Sequence, residues 1–111
     1  MEYRNDTICA ISTPPGISGV ALIRVSGNKS IEIVSEILKS KKPFKTAKSH
    51  TIQFGLIIDG KQVIDEVYVS IFKTPRSYTG EDVVEITCHG NTFIANQILE
   101  LLLQKARLAE P

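Results

Sequence analysis

The sequence predicts an α+β domain, a mixed or antiparallel β-sheet with two helices on one face. Three observations predict it. Several short runs alternate apolar and polar residues with the period of two that marks a half-buried strand. Two segments, one before Pro43 and one after Gly90, space their apolar residues at helical intervals instead. Breakers such as Thr13-Pro14-Pro15-Gly16 and Asp59-Gly60 separate the runs.

Taken in order, Thr7 to Ser12 reads as a short buried strand, since Ile8, Cys9, Ala10 and Ile11 are all apolar. Pro15-Gly16 suits the centre of a type II turn, where proline presets one φ and glycine accepts a positive one. Val20 to Val25 is a second strand, apolar throughout except for Arg24. Ser26 or Asn28 then caps a helix whose stripe is Ile31, Val34 and Leu38, widened by Ile33 and Ile37. That helix should end near Leu38 to Ser40, where Lys39, Lys41 and Lys42 suit its negative end and Pro43 forbids continuation.

Thr51 to Ile58 alternates, with Ile52, Phe54, Leu56 and Ile58 facing one way. Asp59-Gly60 is a strong hairpin signal, and Gln62 to Phe72 is the returning strand. Val67, Val69 and Ile71 share one of its faces. Lys73 to Gly80 is a loop, and Asp82 to Cys88 alternates again with Val84, Ile86 and Cys88 on one side. Gly90-Asn91-Thr92 caps a second helix with Ile94, Ile98, Leu101 and Leu102 as its buried stripe, running to about Ala106. Arg107-Leu108-Ala109 begins a last strand.

A chain of 111 residues suits one domain with one core, spanning 1–111. Thirteen Lys and Arg against 12 Asp and Glu leave a net charge of +1, so no strong global field draws the chain to nucleic acid or to an acidic membrane. No apolar stretch approaches the ~20 residues of a membrane span, and the polar N-terminus lacks the pattern of a signal peptide. The cytoplasm is the expected compartment. Cys9 and Cys88, both within apolar strands, read as reduced buried thiols, with a disulfide between them as the alternative.

The common catalytic motifs are missing from the sequence. It has no P-loop, and Gly16 and Gly19 are only a fragment of a glycine-rich loop. No cysteines have zinc spacing, and Cys88-His89 is a lone adjacent pair, so neither a metal site nor a catalytic residue is assigned. Two charges stand out by position. Arg24, inside an apolar strand, must either point out of the core or meet an anion. Glu81 opens a strand after Ser77-Tyr78-Thr79-Gly80. It is either part of a solvated turn or a carboxylate placed for a flat heterocycle, whose two adjacent N–H donors it would accept bidentately. Gly80 lets a ligand approach the backbone. Lys39, Lys41, Lys42, Lys45 and Lys48 form the one basic cluster, either a solvated face or a weak RNA-facing patch.

Three stretches together resemble one family. They are Asp6-Thr7-Ile8 through Thr13-Pro14-Pro15-Gly16 to Arg24-Val25-Ser26-Gly27, then Pro75-Arg76-Ser77-Tyr78-Thr79-Gly80-Glu81-Asp82, then Cys88-His89-Gly90-Asn91 with Arg107-Leu108-Ala109-Glu110-Pro111. They look like the N-terminal domain of the bacterial tRNA wobble-uridine modification GTPases, the MnmE or TrmE family. The resemblance covers essentially the whole chain.

It implies a fold like the folate-binding domains of aminomethyltransferases, a homodimer, and a bound tetrahydrofolate derivative, 5-formyl- or methylene-tetrahydrofolate. It implies that Arg24 and Glu81 contact the folate, with Tyr78, Thr79 and Gly80 as the loop around Glu81. The whole family protein adds a helical domain and a GTPase domain, where GTP, Mg and K belong. With a flavin-dependent partner protein it modifies carbon 5 of the wobble uridine of tRNA, using a one-carbon unit from folate. The family pattern continues beyond Glu110-Pro111 into a basic segment that adds a folate contact, so the chain is expected to be cut before the helical and GTPase domains. Alone it is expected not to hydrolyse GTP. Position 17 departs from the pattern, holding Ile where a polar or basic residue is common. Two alternatives stand beside the folate-binding module: a pure dimerisation or interaction module, and an aminomethyltransferase-like enzyme domain.

Overall fold

The computed structural model describes residues 6–14, 19–75 and 80–109. The proposed Pro15-Gly16 turn, Ile17, and the loop residues Arg76 to Thr79, including Tyr78, lie outside the described residues. Seven strands form one mixed sheet. They are β1 (Ile8–Ile11), β2 (Val20–Ser26), β3 (Leu38–Ser40), β4 (Thr51–Asp59), β5 (Gln62–Phe72), β6 (Val83–His89) and β7 (Arg107–Leu108), with helices α1 (Ser30–Ser35) and α2 (Thr92–Leu102). The spatial order is β3-β4-β5-β6-β2-β1-β7. Every pairing is antiparallel except β1 with β7, which is parallel.

Alternation places one side chain in two on each face. The ladder aligns Ile23 with Ile86 and Val69, and Val25 with Val84 and Ile71. These residues are fully buried and share one core with Ile33 and Val34 of α1 and Ala95, Ile98 and Leu102 of α2. Each such fully buried aliphatic side chain stabilises the fold by about 2 kcal/mol. Both helices therefore cover the same face, as the sequence predicts. Asn91 caps α2, its side-chain oxygen accepting from the backbone N–H of Phe93 and Ile94. The Asp59-Gly60 hairpin forms with Asp59 opposite Gln62 and Gly60 at φ +64°.

Three expectations are corrected. Helix α1 ends at Ser35, and Leu38, assigned by spacing to the helical stripe, starts β3 and pairs with Ile57. Neither Ser26 nor Asn28 caps α1; its N-cap is Lys29, without a side-chain cap, and the Lys29 N–H donates to Thr7 Oγ1. Helix α2 stops at Leu102 rather than near Ala106.

Among the described residues, the second face of the sheet is largely open. Ile52 and Phe54, which alternate as a core strand would, lie on it at 66% and 53% exposure. Tyr68 and Val20 join them there, and the Phe54 and Tyr68 rings meet edge to face at 5.5 Å.

Candidate functional site

The open face carries one charged pair in its middle. Arg24 sits opposite Glu85 in the β2–β6 ladder, and both alternate away from the core. Its Nε and Nη2 donate to Glu85 Oε2 at 2.9 and 2.7 Å. The Glu85 side chain is only 13% exposed, so the guanidinium neutralises a carboxylate that is mostly out of water. The next residues along this row are small: Ala10 lies opposite Arg24 on β1 and Ser70 opposite Glu85 on β5. A planar group therefore has room above the pair.

The Arg24 alternatives thus meet in one residue. It points out of the core, and the anion it meets is Glu85. Sequence reasoning missed Glu85. Its signal was the same as that of Arg24, a lone charge in an apolar strand, but only the register shows that the two are partners.

Glu81, expected to open a strand, lies half-buried two residues before β6 starts at Val83. Its neighbour Asp82 anchors it. The Asp82 backbone carbonyl accepts from the Gly27 N–H at 2.9 Å and from Ser30 Oγ at 3.1 Å. The Asp82 carboxylate accepts from the Thr74 N–H at 2.9 Å, next to the cis Thr74–Pro75 bond. These bonds fasten the loop before β6 to the start of α1. Gly80 holds φ +77°, a conformation that a side chain would resist. Glu85 stands four positions after Glu81, so at most about 13 Å of extended chain lies between them. The structure therefore sets Gly80 and Glu81 at the end of the sheet whose open face carries Arg24; Tyr78 and Thr79 are outside the described residues.

A second polar pair lies at the other end of β6. His89 Nδ1 meets Asp65 Oδ1 at 2.7 Å, and the His89 N–H donates to Asp65 Oδ2 at 2.9 Å. Asp65 is buried and His89 exposed. Among the described residues no three His, Cys, Asp or Glu side chains are grouped to hold a metal ion. Cys9 and Cys88 are buried, free thiols. Burial pushes both up to about 11, helped at Cys88 by the negative charge of Asp65. They are poor nucleophiles at neutral pH. Among the described residues no helix is long and apolar enough to cross a membrane.

Comparison with known proteins agrees with the resemblance read from the motifs. The chain is 50% identical to the tRNA modification GTPase MnmE of Acetivibrio thermocellus over 112 residues, covering 98% of the chain. It is 52% identical to that of Thermoanaerobacter pseudethanolicus over 111 residues, covering 96% of the chain, and 50% identical to that of Listeria welshimeri over its whole length. The chain spans about a quarter of each relative, 24% of their length. A family model described as the N-terminus of the GTP-binding protein TrmE matches residues 7–111, and the chain belongs to that family.

Proposed function

We propose that this chain is a folate-binding and dimer-forming module of a cytoplasmic tRNA modification GTPase. It binds a tetrahydrofolate derivative and holds the one-carbon unit destined for carbon 5 of a wobble uridine. The observation that carries this reading is the Arg24–Glu85 pair on the open face, flanked by Ala10 and Ser70, with Glu81 anchored at the end of the same sheet. An extended ligand with a heterocycle at one end and an acidic tail at the other fits such a span.

In this reading Glu81 accepts the paired N–H donors of the pterin edge. Arg24 turns donors toward the ligand while Glu85 holds its guanidinium in place. Tyr78, Thr79 and Gly80 shape the loop around the pterin. The fold is similar to that of aminomethyltransferase folate domains. GTP, Mg and K act in the GTPase domain of the whole protein, and a flavin-dependent partner protein and tRNA meet it there as a complex. Both thiols of the chain are buried.

Dimerisation draws support from the apolar residues on the open face. Val20 and Tyr68, each more than half exposed, flank the half-buried Leu22 on β2 and β5. Light scattering at tens of micromolar is expected to give twice the chain mass, and Tyr68→Glu to shift it toward the single mass. A monomer that binds folate would remove dimerisation from the proposal. A dimer indifferent to folate would favour the pure interaction module.

A further inference from the structure

The basic cluster is not used by the folate reading, and the fold gives it a shape. Strand β3 covers β4 only along Gly55 to Ile57. Beyond it, the chain leaves the sheet at Ser40, passes through a single 3₁₀ turn at Phe44–Thr46, and returns at Thr51. Between this excursion and the outer edge of β4 lies a groove of about 640 Å³. Lys41, Lys42 and Lys48 line it together with Pro43, Gln53 and Phe54, and among the described residues no acidic one does. All three lysines are exposed, and among the described residues no carboxylate pairs with them.

We propose that this groove on the outer edge of β4 binds a nucleotide of a single-stranded RNA segment. Each feature has a counterpart in that ligand. Ammonium groups act as point charges for phosphates. Pro43 and Phe54 give apolar walls for a base. An acidic peptide would satisfy the lysines but would leave the flat apolar walls without a matching partner. The net charge of only +1 makes the grip local, so binding is weak and sensitive to salt. The proposal rests on the tRNA reading above and adds to it the surface that meets the RNA.

The test is fluorescence anisotropy of a labelled single-stranded RNA oligomer with the 111-residue chain. Three phosphate contacts predict a slope of log affinity against log salt of about −2, hence about a 16-fold loss between 50 and 200 mM salt. The double variant Lys41→Glu, Lys48→Glu changes only exposed side chains and is expected to abolish most of that slope. Phe54→Ala should keep the slope and lose about fivefold or more in affinity. Unchanged RNA binding by the double variant overturns the proposal. So does displacement of the RNA by oligoglutamate as effective as by unlabelled RNA. Competition by free uridine or guanosine monophosphate at the affinity of the strand would assign the groove to soluble nucleotides and overturn the RNA source. Titration of the same variants with 5-formyltetrahydrofolate keeps the two readings apart. Intact folate binding with unchanged RNA binding sinks the groove alone; loss of folate binding in wild type sinks the folate module alone.

Discussion

At the scale of single residues, position on the sheet decides chemistry. Arg24 and Glu85 are both charges inside apolar strands, and alternation turns both to the open face, where they meet. That both face outward is readable in the sequence, because their neighbours Ile23, Val25, Val84 and Ile86 are core residues; that they face each other depends on a register set by the whole sheet. The cysteines show the opposite placement. Cys9 and Cys88 alternate with outward residues and are buried, and their thiols are pushed from 9.0 to about 11. A thiol whose folded value is raised adds stability that is complete below the unfolded value. The fold is therefore expected to lose stability as pH rises from 9 toward 11, seen as a falling urea midpoint. At pH 8 alkylation by iodoacetamide should run about 100-fold slower in the folded chain than in urea, from the thiolate fractions alone. Equal rates would show the thiols to be accessible and ordinary.

At the scale of elements, the first helix is where the sequence misleads. Ile31, Val34 and Leu38 fall at helical spacing, yet α1 has only six residues. A helix so short gains little from its own hydrogen bonds. Ser35 Oγ donates to the Glu32 carbonyl inside its last turn, a local competitor of the helical ladder. Strand β4 meanwhile offers an edge, and Gly55 on it has no side chain to keep Leu38 away: a Cβ there would lie 2.7 Å from Leu38 Cδ1. Tertiary pairing wins, and Leu38 is buried in β3 instead. By contrast, the hairpin at Asp59-Gly60 and the cap at Asn91 are legible because the turn and cap chemistry is local.

The link between β2 and α1 is equally constrained. Gly27 holds φ +142°, and a Cβ there would lie 2.6 Å from Thr7 Cα and 2.8 Å from the Asp6 carbonyl. Gly27→Ala is expected to cost about 2–4 kcal/mol in urea unfolding, by strain and by the clash with the backbone just before β1. A cost below about 0.5 kcal/mol would mean that this approach is not rigid.

At the scale of the molecule, one face of the sheet makes the core, and the other carries the exposed Ile52, Phe54 and Tyr68. Sequence patterning predicts the sheet, its helices and their common side, since periods of 2 and 3.6 follow from burial. It does not show which apolar stripe is buried: Ile52 and Phe54 alternate as well as Val67 and Val69, and only the closed face has helices to cover it. Arg24 and Glu81, the residues proposed to contact folate, come from the family motif; the geometry around them required the ladder that brings Glu85 to Arg24 and the Asp82 bonds beside Glu81.

The most direct measurement is a calorimetric titration of the chain with 5-formyltetrahydrofolate, repeated on Arg24→Ala and on Glu81→Ala, with thermal unfolding of each to confirm the fold. Saturable binding by wild type is expected, weakened at least about tenfold in each folded variant. Wild-type binding that survives both substitutions unchanged would contradict the folate reading.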